Sequence, residues 1–261
     1  MSDTSMSLIQ HLDELRKILI KIIIAVLLGT IVSFALFEAV LWRIINAPIM
    51  GIERDIIMIQ YGVTEVFVAR IKLSLLAGFI ITSPFTAYQA WSFILPALYA
   101  NERKYIYMIA PASAMLFAAG VVFGYYVVLP IALNFFTAQL PIIAGYPTTL
   151  AFSQYVSFVV VFLLPFGLIF QLPLGIAFLA RMGIVDYKFF QTKRKYAILI
   201  IFIVAALLTP PDLISQILMA APVLVLYEIS ILIAWLIGKK RVKRMEAEAA
   251  EEEGVDKDDI S

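Results

Sequence analysis

The 261-residue chain contains no cysteine and a single histidine, His11. The lack of cysteine excludes disulfides, thiolate catalysis and cysteine-ligated metals, and one histidine cannot form a multi-histidine metal site. Charged residues make up only 15% of the chain, and the net charge is +1. A nucleic-acid-binding protein needs a basic face to neutralise phosphates. Composition therefore argues against nucleic-acid partners and most metal chemistry, and we expect no cofactor.

Apolar residues dominate instead: 62% of the chain is hydrophobic and the mean hydropathy is +0.95. These values predict an integral membrane protein. Six apolar runs are candidates to cross about 30 Å of hydrocarbon as helices. They cover approximately residues 18–37, 71–95, 105–129, 155–180, 196–208 and 213–237. The sequence therefore predicts an all-α protein with six transmembrane helices.

The fifth run is unusually short, and prolines in the fourth and sixth runs are expected to kink two of the helices. A run of 13 residues reaches only about 20 Å, so the turn after it is expected to lie below the far membrane surface. Pro165, Pro173 and Pro222 predict kinks in the fourth and sixth helices. Together the kinks predict a concave bundle.

The distribution of positive charge predicts the orientation. If the N-terminus is cytoplasmic, 16 of the 20 Lys and Arg residues fall in cytoplasmic segments. The exceptions are Arg43, Arg54, Arg70 and Lys72. Because positive residues in short loops stay in the cytoplasm, we expect both termini there. We expect residues 1–238 to form one transmembrane domain and 239–261 a charged, disordered cytoplasmic tail.

Two polar stretches border the helices, and each has a purely structural interpretation. In the N-terminal stretch, Asp13 and Glu14 are expected to pair with Lys17 along an amphipathic helix. In the stretch FILPALYANERKY, Pro96 would end one helix, while Glu102 would complement the dipole at the start of the next. Neither interpretation requires a ligand.

Two polar residues lie inside apolar runs, Gln171 in the fourth and Glu228 in the sixth. An ionisable group at that depth is a functional candidate, and it must face protein or water. An interhelical hydrogen bond is the alternative explanation for both side chains.

Six motifs in order carry a resemblance to a known family: HLDELRK, FILPALYANERK, FGYYVVLP, FGLIFQLPLG, LLTPPD and LYEIS. With six predicted helices and both ends inside, the chain resembles TatC, the polytopic subunit of the twin-arginine protein translocase. The resemblance extends over about residues 8–238. It implies a receptor for Arg-Arg signal peptides of folded precursors, with transport driven by the proton-motive force. Of the two membranes considered, a bacterial inner membrane and a thylakoid, we expect the bacterial one, because the sequence shows no transit peptide.

The resemblance also implies partners and site residues. The partners would be single-span proteins of the TatA and TatB type, other copies of the chain and the lipid bilayer. The implied signal-peptide site consists of Glu14, Arg16, Phe93, Pro96, Leu98, Tyr99, Glu102 and Arg103. The implied partner-helix region consists of Leu207, Thr209, Pro210, Pro211 and Asp212. Glu228 matches the family's intramembrane glutamate, whereas Gln171 replaces a frequent glutamate, so a titratable group there is not essential.

Two other classes of protein compete with this interpretation. A secondary transporter of a small solute usually shows internal repeats and several ionisable groups near the bilayer midplane, and the sequence shows neither. An enzyme would need a nucleophile and base or a metal site, but no GxSxG, HExxH or Walker motif is present. We therefore expect a protein that is not an enzyme.

Overall fold

The computed structural model describes residues 8–50, 56–94, 106–139, 148–209 and 213–258. The described helices are α1 (Leu8–Ala35), α2 (Trp42–Met50), α3 (Val63–Ile94), α4 (Ile106–Phe123), α5 (Leu129–Gln139), α6 (Phe152–Ile169), α7 (Leu172–Met182), α8 (Tyr187–Thr192), α9 (Arg194–Leu208) and α10 (Leu213–Asp258). Short π-helical segments, Phe37–Leu41 and Gly124–Val128, join α1 to α2 and α4 to α5. The predicted all-α class is confirmed, with one small sheet as an addition.

Five helical stretches among the described residues are long and apolar enough to cross a membrane: Leu12–Ala35, Val63–Phe93, Met108–Thr137, Phe152–Met182 and Leu213–Lys239. They correspond to the first four predicted runs and the sixth. The fifth run corresponds to α9, whose 15 residues span about 22 Å at 1.5 Å per residue. The short fifth helix of the prediction is therefore present.

The chain divides into two compact units, Met1–Leu168 and Ile169–Ser261. In the first unit, the core is built from α3, α5 and α6 together with the segment after α1. Its buried members include Phe37, Leu73, Leu129, Phe152 and Val156. Tyr155 is also almost completely buried there. These side chains come from separate apolar runs, and their van der Waals contacts join the helices, because lipid chains are as apolar as the side chains themselves.

Two glycines let α1 and α3 approach closely. A Cβ atom on Gly29 would lie 2.8 Å from the Gly78 carbonyl oxygen, and one on Gly78 would clash with the Thr30 backbone nitrogen. Small residues at a helix crossing allow backbone contact, which is a common way to join membrane helices. The α1–α3 pair therefore depends on the absence of side chains at this crossing.

The segment between α1 and α3 is held by distant parts of the first unit. Strand β1 (Ile56–Ile59) pairs in parallel with β2 (Thr148–Ala151), in the register Ile56 opposite Thr148. The Tyr125 and Tyr155 hydroxyls donate hydrogen bonds to the Ile44 and Ile45 carbonyls of α2, at 2.6 and 2.7 Å. These contacts anchor the segment over more than 80 residues of sequence separation.

The prolines of the fourth and sixth helices affect the backbone differently. α6 continues through Pro165 and α10 through Pro222. The fourth predicted helix is instead interrupted between α6 and α7, just before Pro173 in the first turn of α7. A proline in a first turn sacrifices no helical hydrogen bond, because that N–H has no partner within the helix. α7 ends at Gly183, whose φ of 71° is left-handed.

In the second unit, α7, α8 and α9 pack against α10. The core consists of Ile176, Ala180, Tyr227, Ile231 and Ala234. The charged segment after residue 238, which we expected to be disordered, continues α10 as helix to Asp258. Its alanines, glutamates, lysines and arginines have high helix propensity, which accounts for the difference.

Candidate functional site

The N-terminal part of α1 and the C-terminal part of α3 line a recess of about 490 Å³. We call it the α1–α3 recess. The two helices run in opposite directions, so the start of one faces the end of the other. The lining residues are Asp13, Glu14, Lys17, Ile18 and Lys21 of α1 with Gln89 and Ser92 of α3. Polar groups from two separate apolar helices therefore meet at one site.

Helical spacing explains how α1 presents these charges together. Asp13, Lys17 and Lys21 follow one another at intervals of four residues and so share one face. Ile18 is buried beside them and holds this face against the neighbouring helix. The amphipathic pattern of the sequence thus orients the charged face toward the recess.

The carboxylates in the recess form no close ion pair with another described residue. Among the described residues, close ion pairs join Arg70 to Glu38 and Arg194 to Glu228. The expected pairing of Asp13 and Glu14 with Lys17 is therefore absent within the described part of the chain. Glu14 is half-buried, which increases the strength of any charged contact it accepts.

The α3 side of the recess contributes neutral polar groups. Gln89 is 9% exposed, and the Ser92 hydroxyl donates to the Gln89 backbone carbonyl at 2.8 Å. The recess as a whole combines two carboxylates and two lysines with amide and hydroxyl groups. Its carboxylates suit a guanidinium, whose planar fork of donors binds carboxylates in a bidentate manner.

The residues implied for signal-peptide binding fall partly within the structure. Glu14 lines the recess, Arg16 is exposed on α1, and Phe93 is half-buried in the last turn of α3 next to Ser92. The others lie outside the described residues: Pro96, Leu98, Tyr99, Glu102 and Arg103.

Sequence reasoning missed Gln89 and Ser92 and assigned Asp13 only a local role. Gln89 could have been found from its position, since it is a polar residue in an apolar run between Tyr88 and Ala90. Ser92 carried no comparable signal, because a serine is readily accommodated in an apolar helix by bonding back to a backbone carbonyl.

A second recess, of about 550 Å³, lies in the other unit between α8, the start of α9 and α10. Its lining is Tyr187, Gln191, Arg194, Glu228, Ile231, Leu232 and Trp235. Here Glu228 accepts a charged hydrogen bond of 2.7 Å from Arg194, and both side chains are about half exposed. The partner of Glu228 is therefore an arginine at the start of α9.

The remaining predicted positions lie on α7 and at the end of α9. Gln171 is the residue before α7, and its carbonyl accepts the Gly175 N–H at 2.9 Å. The Leu207 side chain is 80% exposed, whereas Thr209 is buried and its hydroxyl donates to the Ala205 carbonyl. Pro210, Pro211 and Asp212 lie outside the described residues.

Comparisons with known proteins agree on one family. Residues 10–222 match the family model described as Sec-independent protein translocase protein (TatC). A TatC of Carboxydothermus hydrogenoformans is 41% identical over 241 residues, covering 92% of this chain and 97% of that protein. The TatC of Escherichia coli strain K12 is 34% identical over 236 residues and covers 90% of each.

A solved structure is similar as well. The crystal structure of a twin-arginine translocase receptor, TatC, matches with a TM-score of 0.78 and 38% sequence identity. It covers 87% of this chain and 99% of the crystallised one. A second crystal structure of that receptor, in DDM, gives a TM-score of 0.79 at 37% identity.

Proposed function

Because the chain belongs to the TatC family of Sec-independent protein translocases, we propose that it is the receptor subunit that binds Arg-Arg signal peptides of folded precursors at the α1–α3 recess. The family favours protein translocation over the alternative of small-solute transport. It is a family of translocase proteins, which agrees with a role other than catalysis. The chain is a multi-pass membrane protein.

The observation that carries the proposed site is the position of two carboxylates, those of Asp13 and Glu14, in the recess. Asp13 and Glu14 lie beside Lys17 and Lys21, yet neither carboxylate forms a close ion pair within the described residues. Within the described residues, no salt bridge has to break for an arginine to bind these carboxylates. Glu102 is proposed as a further carboxylate on the basis of the family motif.

The orientation and setting of the chain extend this proposal. With both termini in the cytoplasm of a bacterial cell, the recess opens toward newly made precursors. The charge distribution supports this orientation, since 16 of the 20 Lys and Arg residues then face the cytoplasm. No nucleotide-binding motif is present in the sequence, so we propose that the proton-motive force supplies the energy.

The exposed end of α9 is the proposed docking region for a single-span partner of the TatA or TatB type. Leu207 is 80% exposed on a helix too short to span about 30 Å of hydrocarbon. A photocrosslinker at Leu207 should therefore capture such a partner, with a crosslinker at exposed Met115 of α4 as the control. Equal capture from both positions, or capture of lipid alone, would contradict this docking region.

The signal-peptide site is tested by binding an Arg-Arg signal peptide to the detergent-solubilised chain. Glu14→Gln removes one charge and keeps the shape of the side chain, so we expect affinity to fall by about tenfold or more, the effect of losing a charged hydrogen bond. Glu38→Gln removes the same charge from an exposed side chain outside the recess and is the matched control. Equal affinities for wild type and Glu14→Gln would remove Glu14 from the site.

A further inference from the structure

Several contacts fix how the chain from α8 to α9 lies along α10. Tyr187 approaches Gly238, with its ring 4.0 Å from where a Cβ would lie, and the Tyr227 hydroxyl donates to the Phe190 carbonyl at 2.8 Å. Arg194 then pairs with Glu228 at 2.7 Å. The chain therefore runs antiparallel to α10 through α8 and into α9.

This register places the positive start of α9 alongside an apolar part of α10. Glu228 precedes Gly238 by ten residues, which is about 15 Å along a helix. Residues 229–238 carry no charge, and Lys239 is the first cation after Glu228 on α10. Arg194 therefore contacts α10 about 15 Å before Gly238, and Lys193 and Lys195 flank Arg194 in the sequence.

Those cations form a compact exposed cluster. The Lys193 and Lys195 ammonium groups lie 5.4 and 5.2 Å from the centre of the Tyr196 ring, within cation–π range. Arg194 is already balanced by Glu228. Among the described residues neither lysine has a carboxylate partner, so this cluster carries about two uncompensated positive charges.

We propose that this α9 cation cluster, made of Lys193, Arg194, Lys195 and Tyr196, binds the phosphate of an anionic phospholipid such as phosphatidylglycerol. The charged ends of these side chains must contact water or lipid headgroups, because an ammonium group is costly to place in hydrocarbon. The recess along α8 and α10 extends from Trp235 to Arg194, and its lining includes the polar groups of Tyr187 and Gln191, so a headgroup can reach the Arg194 side of the cluster.

The surroundings of the cluster select a lipid over other anions. Directly after it, α9 exposes large apolar side chains, with Leu199 and Ile203 57% and 51% exposed. Acyl chains can cover these side chains while the phosphate remains at the cluster. A zwitterionic lipid would bring its own cation to a site that is already positive, so an anionic headgroup is favoured.

Native mass spectrometry of the detergent-solubilised chain tests the proposal. The chain is mixed with equal amounts of phosphatidylglycerol and phosphatidylcholine that carry the same acyl chains. We expect the wild type to retain phosphatidylglycerol preferentially. The Lys193→Gln/Lys195→Gln variant should weaken that preference by about 30-fold, from the loss of two cations near an anionic headgroup. This double variant leaves the Arg194–Glu228 pair in place.

Two matched variants and one competitor decide the result. Lys193→Arg/Lys195→Arg keeps the charge and should keep the preference, as should Arg43→Gln/Lys72→Gln, which removes two cations elsewhere. No preference in the wild type, or an equal loss in both charge-removing variants, would overturn the proposal. Displacement of the lipid by millimolar inorganic phosphate would also overturn it, because the site would then bind free anions. Binding of the Arg-Arg peptide should be unchanged in Lys193→Gln/Lys195→Gln. The lipid site and the signal-peptide site are therefore tested independently of each other.

Discussion

The hydroxyl of Tyr125 replaces a hydrogen bond that a proline removes from α2. In an α-helix the N–H of residue 48 would donate to the carbonyl of residue 44, but Pro48 has no N–H. The Tyr125 hydroxyl donates to that Ile44 carbonyl at 2.6 Å. We therefore predict that Tyr125→Phe destabilises the protein by about 1 kcal/mol, the usual net value of a hydrogen bond. For a chain of this size the melting temperature should fall by about 2–4 °C.

A second substitution tests the cause of the effect. Pro48→Ala returns an N–H to the helix, which can then donate to the Ile44 carbonyl without the tyrosine. In that background Tyr125→Phe should lower the melting temperature by less than half as much, measured by thermal unfolding in detergent. Tyr155→Phe should keep its full effect, because the Tyr155 hydroxyl bonds the adjacent Ile45 carbonyl. Equal effects of Tyr125→Phe with and without Pro48 would refute the reasoning.

Two further predictions concern helix packing. Gly78→Ala should destabilise the protein by about 1–3 kcal/mol, because the new Cβ would meet the Thr30 backbone. Gly175→Ala is the control and should be neutral or stabilising, because a Cβ at Gly175 would meet open space. Equal melting temperatures for the two variants would contradict the close α1–α3 crossing. In a double-mutant cycle in detergent, Glu228→Gln and Arg194→Gln should show a coupling free energy of only about 0.2–1 kcal/mol, because both side chains are half exposed. Additive effects of the two substitutions would show that the ion pair contributes no stability in detergent.

The helices could be predicted well because their signal is local. A run of about 20 apolar residues has few alternatives to a spanning helix, so the five long runs were evident, and the short fifth helix was predicted with them. The fifth was predicted to begin at Tyr196, whereas α9 begins at Arg194. Hydropathy marks where apolar residues begin, while a helix includes the charged residues that lie at its end.

Contacts between distant residues carried no local signal. The bond from Tyr155 to Ile45 joins residues 110 positions apart, and the pairing of β1 with β2 joins two different loops. The α1–α3 recess could not be predicted for the same reason. The local sequence predicts pairing of Asp13 or Glu14 with Lys17, but the packing of α1 against α3 determines what their carboxylates face.

The central claim is that the α1–α3 recess recognises guanidinium groups. The most direct test compares the binding of two signal peptides to the purified chain in detergent, one with Arg-Arg and one with Lys-Lys at the same positions. We predict clearly tighter binding of the Arg-Arg peptide, since a planar fork of donors matches carboxylates better than an ammonium does. Equal affinity for the two peptides would contradict the claim, because it would mean that the recess responds to charge alone.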